Sequence, residues 1–199
     1  FMGFLRDACL RSMDLVEATG WLAENRHEAM TGSDPVGPVS ADGTIRLANL
    51  WCLANSQEFD PVSPEMWEVY LLEFQKPILA RFGLTGYGCC ENLTRKIDGV
   101  LSIPNLRIFV CSAWTDLETV VDRVGRRKVI MWRQKATDVV HAPDEAALRK
   151  ALRDGLDRLR GCHVQIVLRE LQTLQGRLDR LHVWTRIAKE EAERFAARS

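Results

Sequence analysis

Four short apolar runs, Leu84 to Gly88, Leu106 to Cys111, Val129 to Trp132 and Val164 to Leu168, limit what this chain can fold into. Each is too brief for a helix and rich in branched residues, so it reads as a strand buried on both faces. Helix patterns lie between and behind them. After the second run, Thr115-x-x-Glu118 has the form of a capping box and Gly125 supplies a stop. After the third, Leu148, Leu152, Leu156 and Leu159 form a core-facing stripe that ends at Gly161. After the fourth, Leu178, Leu181, Trp184, Ile187 and Phe195 do the same. Strand and helix alternating in this way demand parallel pairing through right-handed crossovers. No glycine-rich phosphate fingerprint follows any of these strands, which argues against a dinucleotide fold and for a (β/α)8 TIM barrel.

A closed barrel takes roughly 250 residues, and about five units are legible in these 199. The expectation is therefore a partial barrel: residues 1–199 as the C-terminal five or so βα units of a single domain, its front missing.

Ahead of the repeat, Leu5, Cys9, Met13, Val16 and Leu22 recur at near-helical spacing, and residues 31–43 are rich in loop formers. The apolar run from Leu47 to Leu53 reads as a further strand, followed by a polar turn, 55–59, that contains Glu58. Ser63-Pro64-Glu65 starts a helix: Ser63 caps, Pro64 sits where its missing N–H costs nothing, and Glu65 favours the positive end of the dipole. Trp67, Leu71, Phe74, Ile78 and Phe82 are its buried stripe, with Pro77 expected to kink or divide it.

Composition narrows the function classes. Lys plus Arg and Asp plus Glu both total 27, so no excess positive charge exists to gather nucleic acid or anionic lipid. No apolar run reaches the roughly 20 residues of a bilayer span, and the start has no signal-peptide pattern, which makes the cytoplasm the default compartment. The six cysteines are scattered through strand-like and helix-like sequence rather than framing loops, and read as reduced thiols.

In α/β barrels the reactive groups lie at the carboxyl ends of the strands. Glu58, then Cys89, Cys90 and Glu91, then Cys111, Ser112 and Trp114, then Trp132, Arg133 and Lys135, then Arg169 and Glu170 all fall there, and are expected on one rim. Two consecutive thiols followed by a carboxylate invite a metal or nucleophile reading, and the plainer alternative is packing of at least one of them. Arg133 and Lys135 suit an anion, carboxylate or phosphate, or an ordinary solvated loop. Arg169 and Glu170 form either a structural ion pair or a catalytic couple. Trp132 and Trp114 floor a ligand pocket or simply pack. His27, His141, His163 and His182 lie away from these tips and receive no role.

The run Tyr87-Gly88-Cys89-Cys90-Glu91-Asn92-Leu93, the approach Ile103-Pro104-Asn105-Leu106-Arg107, the pair Trp132-Arg133, and the segments Ser56-Gln57-Glu58-Phe59 and Val62-Ser63-Pro64-Glu65 together resemble a branch of the uroporphyrinogen decarboxylase-like superfamily. Corrinoid-dependent methyltransferases and cobalamin-independent methionine synthase belong to the same superfamily. The resemblance spans about Leu47 to Phe195, and implies a protein longer than this chain. Methyltransferase relatives carry a His-x-Cys pair at a strand end, with later Cys or Glu ligands around a zinc that activates a thiol. Tyr87 falls where that His would be and Cys89 where the Cys would be, while Cys111 and Glu170 lie near later ligand positions. The metal-free decarboxylases have an Asn-x-Gly-His-Gly-type segment after the last strand, where this chain reads Arg169-Glu170-Leu171-Gln172-Thr173, which disfavours porphyrinogen decarboxylation itself.

The resemblance thus implies, first, a zinc-dependent methyltransferase acting on a small molecule, with a corrinoid, or a corrinoid protein as partner, on the methyl-donor or acceptor side. Cys89, Cys90 and Cys111 would hold zinc, with Glu170 and Glu58 catalytic. Tyr87, Trp132, Arg133, Lys135 and Arg169 would bind substrate. The alternatives are a metal-independent decarboxylase, a lyase in which an arginine binds carboxylate and the cysteines pack, and an inactive fragment.

Overall fold

In a computed structural model, which describes residues 1–24, 36–37 and 39–198, five parallel strands stand in chain order. They are β1 (Trp51–Ala54), β2 (Leu84–Tyr87), β3 (Leu106–Cys111), β4 (Val129–Gln134) and β5 (His163–Leu168), accompanied by helices α1 (Met2–Ala18), α2 (Pro64–Trp67), α3 (Glu73–Leu79), α4 (Ile97–Leu101), α5 (Leu117–Arg123), α6 (Ala136–Val140), α7 (Glu145–Arg158) and α8 (Asp179–Ala196). Each strand pairs with the next, so β1 and β5 are the two edges. The order matters. Right-handed crossovers that always step the same way place every connecting helix on one face, whereas a doubly wound sheet reverses and covers both.

The packing has that one-sided form. Tyr87, Phe109, Cys111 and Ile130 pack with Trp67, Leu72, Ile97, Val100, Val120 and Leu159 from the connecting helices. Trp132, Ile166 and Leu168 meet Val139, Leu148, Leu152 and Ile187. The opposite face carries a separate cluster of Trp51, Ile108, Val110 and Met131, with Val36, Leu84, Val129 and Val167 against it, and among the described residues no helix residue takes part. The chain is therefore a mixed α/β structure of consecutive βα units on an all-parallel sheet.

The connections follow from local chemistry. Ser63 accepts a hydrogen bond from Met66 N and Pro64 opens the helix, as its sequence requires. Pro77 does not divide that helix. It widens instead into a π turn at Glu68–Leu72, ahead of the α-helical Glu73–Leu79 that contains Pro77. After β3 the cap is Asp116, which accepts from Thr119 N, and not Thr115. The Thr115 hydroxyl is taken up by Leu93 N and by Ser112. Gly125, with φ of 52°, ends the helix Leu117–Arg123 as expected.

Behind β4, α7 (Glu145–Arg158) buries Leu148, Leu152 and Leu156 against α8 (Asp179–Ala196) and the sheet. In α8 the expected stripe is only partly buried: Ile187 is inside, but Leu178 and Leu181 are exposed. Two charged residues are buried in their stead. Arg180 donates to the carbonyls of Val139 (2.7 Å) and Ala142 (2.8 Å) at the end of the short helix Ala136–Val140. Glu191 receives Arg149, Arg153 and Arg194.

At the front, α1 (Met2–Ala18) forms as expected but buries none of its residues. Ion pairs from Arg81 to Asp14 (2.7 Å) and Glu17 (3.3 Å) hold it beside the helix that contains Pro77. Of the expected loop 31–43, residues 31–35 and 38 lie outside the described residues, as does His27. No helix among the described residues is long and apolar enough to cross a membrane.

Candidate functional site

The strand tips converge, and Glu91 is the residue that gathers the first three. Gly88 leaves β2 with φ of 119°, where a Cβ would come within 2.9 Å of Val110 O, so only glycine fits. The bends that follow reverse the chain, and Glu91 ends almost fully buried. Its carboxylate accepts from Cys89 N (2.8 Å), Ser56 N (2.8 Å) and the Ser56 hydroxyl (3.2 Å). Its carbonyl accepts from the Ser112 hydroxyl (2.8 Å). The tips of β1, β2 and β3 are thereby tied by one side chain and its backbone.

Arg133 joins the other two strands to that group. It lies on the face of β4 opposite the connecting helices, its side chain fully buried, and Nη1 donates to Cys89 O (2.7 Å) and Glu170 Oε1 (3.0 Å). The Cys90 thiol also donates to Glu170 Oε1 (3.1 Å), and the Cys89 and Cys90 sulfurs are 3.6 Å apart. Burial, reinforced by the bond to Glu170, pushes the Cys90 thiol up to about 12, so it keeps its proton at neutral pH. Glu170 itself has φ of 59°, a left-handed conformation that costs a non-glycine residue on the order of 1 kcal/mol. Its bonds to Arg133 and Cys90 offset that strain. Two guanidinium nitrogens of Arg133, Nε and Nη2, are buried with no partner among the described residues.

Three expected site residues face the wrong way. Cys111 and Trp132 belong to the helix-covered face: Cys111 is buried in its core, and the Trp132 ring lies over Gly155 of α7. Burial alone accounts for most of the rise of the Cys111 thiol to about 12, as expected for a packing cysteine. Tyr87 also turns into that layer, where its hydroxyl donates to Gln75 Oε1 (2.7 Å) and its ring meets Trp67 edge-on. All three therefore lie on the face opposite Arg133. Strand alternation is the reason: Trp132 and Arg133 are neighbours, so only one can face the site.

Others are at the rim but outside the cluster. Glu58 is exposed on a 3-10 turn after β1, and Arg169 is exposed beyond β5. Lys135 is exposed as well, with its ammonium 5.3 Å from the centre of the Trp114 ring. Among the histidines, His163 opens β5 at the far end of the sheet.

Zinc does not fit this arrangement. Cys89, Cys90 and Glu170 stand together, but a cation is already among them: Arg133 Nη1 is 3.8 Å and 3.9 Å from the two sulfurs and 3.0 Å from Glu170. Cys111 is walled off on the opposite face, and Glu58 is out in solvent. Among the described residues no group of three or more His, Cys, Asp or Glu is placed to hold a metal. A cavity of about 750 Å³ runs along β5 and α8, lined by Arg126, His163, Lys189 and Phe195 among others, and none of the tip residues enters it.

Comparison with protein-family models, with curated proteins and with solved structures finds no match for the chain. The case for a function rests on the tips themselves.

Proposed function

We propose that this chain is part of a (β/α)8-barrel enzyme of the uroporphyrinogen decarboxylase-like kind, acting without a metal on a small molecule that carries carboxylates. The observation that carries the reading is Arg133, fully buried with Nε and Nη2 unmatched among the described residues. Those two N–H groups form the side-on fork that takes both oxygens of a carboxylate. A buried guanidinium left half unsatisfied is costly, and a ligand carboxylate would remove the cost.

A carbon–carbon lyase of the decarboxylase type suits the neighbours of that fork. Arg133 holds a carboxylate that stays on the substrate and so positions a second one beside Cys90. When the carbon–carboxylate bond breaks, carbon dioxide leaves and the electron pair stays on the substrate carbon. That carbon takes the Cys90 thiol proton, and the thiolate is reprotonated from solvent. Glu170 orients both Cys90 and Arg133 through its two bonds. Zinc-dependent methyl transfer involving a corrinoid has no comparable observation in its favour, because its donor set does not assemble.

The test is carbon dioxide release from a carboxylated porphyrinogen and from a panel of di- and tricarboxylic acids, with zinc content measured alongside. Release by the protein, reduced roughly 30-fold or more in Arg133→Met, supports the reading; that ratio corresponds to about 2 kcal/mol of lost binding. Release that is indifferent to Arg133, or one zinc per chain that disappears in Cys89→Ala, overturns it.

A further inference from the structure

We propose that Cys89 and Cys90 are a redox-active vicinal dithiol, closed to a disulfide by exchange with a low-molecular-weight disulfide. Consecutive residues of a strand point to opposite faces, which would keep two such thiols apart. Here the left-handed turn at Gly88 and the bends at 89–91 break the alternation, and the sulfurs come to 3.6 Å. Both residues are half-buried, so a small reagent reaches them, while Cys111 and Cys162 are buried. The pair is distinctive for that reason: two thiols in contact, accessible, at the centre of the tip cluster.

The exchange balances without any further reactant. Cys90 is engaged with Glu170 and holds its proton, so Cys89 attacks first. One sulfur of the reagent leaves as a thiol and a mixed disulfide forms on Cys89. Cys90 then gives up its proton and attacks Cys89 Sγ, releasing the second reagent thiol. Two electrons and two protons pass from the protein to the reagent. Adjacent Cα atoms lie about 3.8 Å apart across a trans peptide, shorter than the roughly 4.4 Å at which disulfides normally begin, so the closed ring is strained. Strained disulfides are the readily reduced ones, which makes this a reversible switch and not a structural link.

Closure removes the S–H group that Cys90 donates to Glu170. If Cys90 is the proton donor proposed above, oxidation also stops the reaction; that consequence rests on the functional reading, whereas the disulfide does not.

The experiment equilibrates the full chain in buffers of increasing glutathione disulfide, alkylates remaining thiols, and reads the mass of the tryptic peptide 82–95, which contains both cysteines and no other. The expected product is that peptide lighter by two hydrogens and unalkylated, reverting on reduction, with Cys111 and Cys162 still alkylated. Cys89→Ser and Cys90→Ser, each close in size to the parent, both abolish it. Phenylarsine oxide, which bridges paired thiols, is expected to bind once per chain and about tenfold or more weakly in either variant. A peptide that keeps two alkylatable thiols in buffers oxidising enough to close dithiothreitol overturns the proposal. So does arsenical binding that is unchanged in the serine variants. Neither readout depends on carbon dioxide release, so this inference and the functional one fail separately.

Discussion

Two buried charges in this molecule are treated in opposite ways. Glu191, beneath α8, is 1% exposed, and both its oxygens are occupied: Arg149 and Arg153 bind Oε1, and Arg153 and Arg194 bind Oε2. Arg133, at the strand tips, is also 1% exposed, but among the described residues one nitrogen carries all its bonds and two carry none. Glu191 is satisfied by its own chain, which suits a stabilising role, because each unmatched polar atom costs free energy. On the function proposed above, Arg133 is left open at the same depth for a partner that the chain does not supply. Glu191 clasps α7 to α8, and Arg133 would hold a place for a ligand.

Substitution tests the contrast most strongly at Glu191. Glu191→Ala is expected to lower stability by about 3 kcal/mol, the scale for removing one partner of a buried ion pair, read from urea unfolding. The same carboxylate, held down to about 2 first by Arg153 and then by Arg149 and Arg194, gives the pH dependence its sign. Its folded value lies below the unfolded one, so its contribution is fully present above about pH 4.5 and is lost as pH falls towards 2. Wild type and the alanine variant are therefore expected to converge in stability on acidification. A gap that stays constant to acid would break the comparison.

A middle-sized effect sharpens the division of the sheet into two faces. An ideal Cβ on Gly155 would stand 2.2 Å from the Trp132 ring, so Gly155→Ala is expected to cost about 2 kcal/mol through overpacking. If Trp132 instead lined the ligand site, the ring would swing clear and the variant would gain from alanine's helix propensity. The smallest effect belongs to Tyr87→Phe, expected to cost about 1 kcal/mol for the lost bond to Gln75 and to leave carboxylate binding as it was.

How far the sequence revealed the structure follows the same division. The strands and their parallel order were legible, because brief branched runs between helix stripes allow little else, and β3 runs from Leu106 to Cys111 as its sequence suggests. The gathering of Cys89, Cys90, Arg133 and Glu170 followed from strand ends alone. Which face each residue takes was not legible. Val129-Ile130-Met131-Trp132 is apolar at every position, since both faces of the sheet are buried, and a run without alternation carries no mark of its inner side. Cys111 and Trp132 turn to the helix-covered face unannounced for that reason, and Tyr87, a candidate only through the resemblance, turns there with them. Glu91 was noticed only as a neighbour of the cysteines; its work of tying three loops together depends on Ser56 and Ser112, far away in the chain, and no local pattern announces it.

The most direct measurement is calorimetric titration of malonate, a small dicarboxylate, into the chain and into Arg133→Met, with urea unfolding of both in the absence of ligand. We expect saturable binding that the substitution weakens by roughly 30-fold or more, while stability changes by less than about 1 kcal/mol, because the bonds lost to Cys89 O and half-buried Glu170 are offset by removing two unmatched buried N–H groups. Equal binding by both proteins, or a collapse in stability on the scale of Glu191→Ala, would show that Arg133 is a structural charge like the other and would contradict the account.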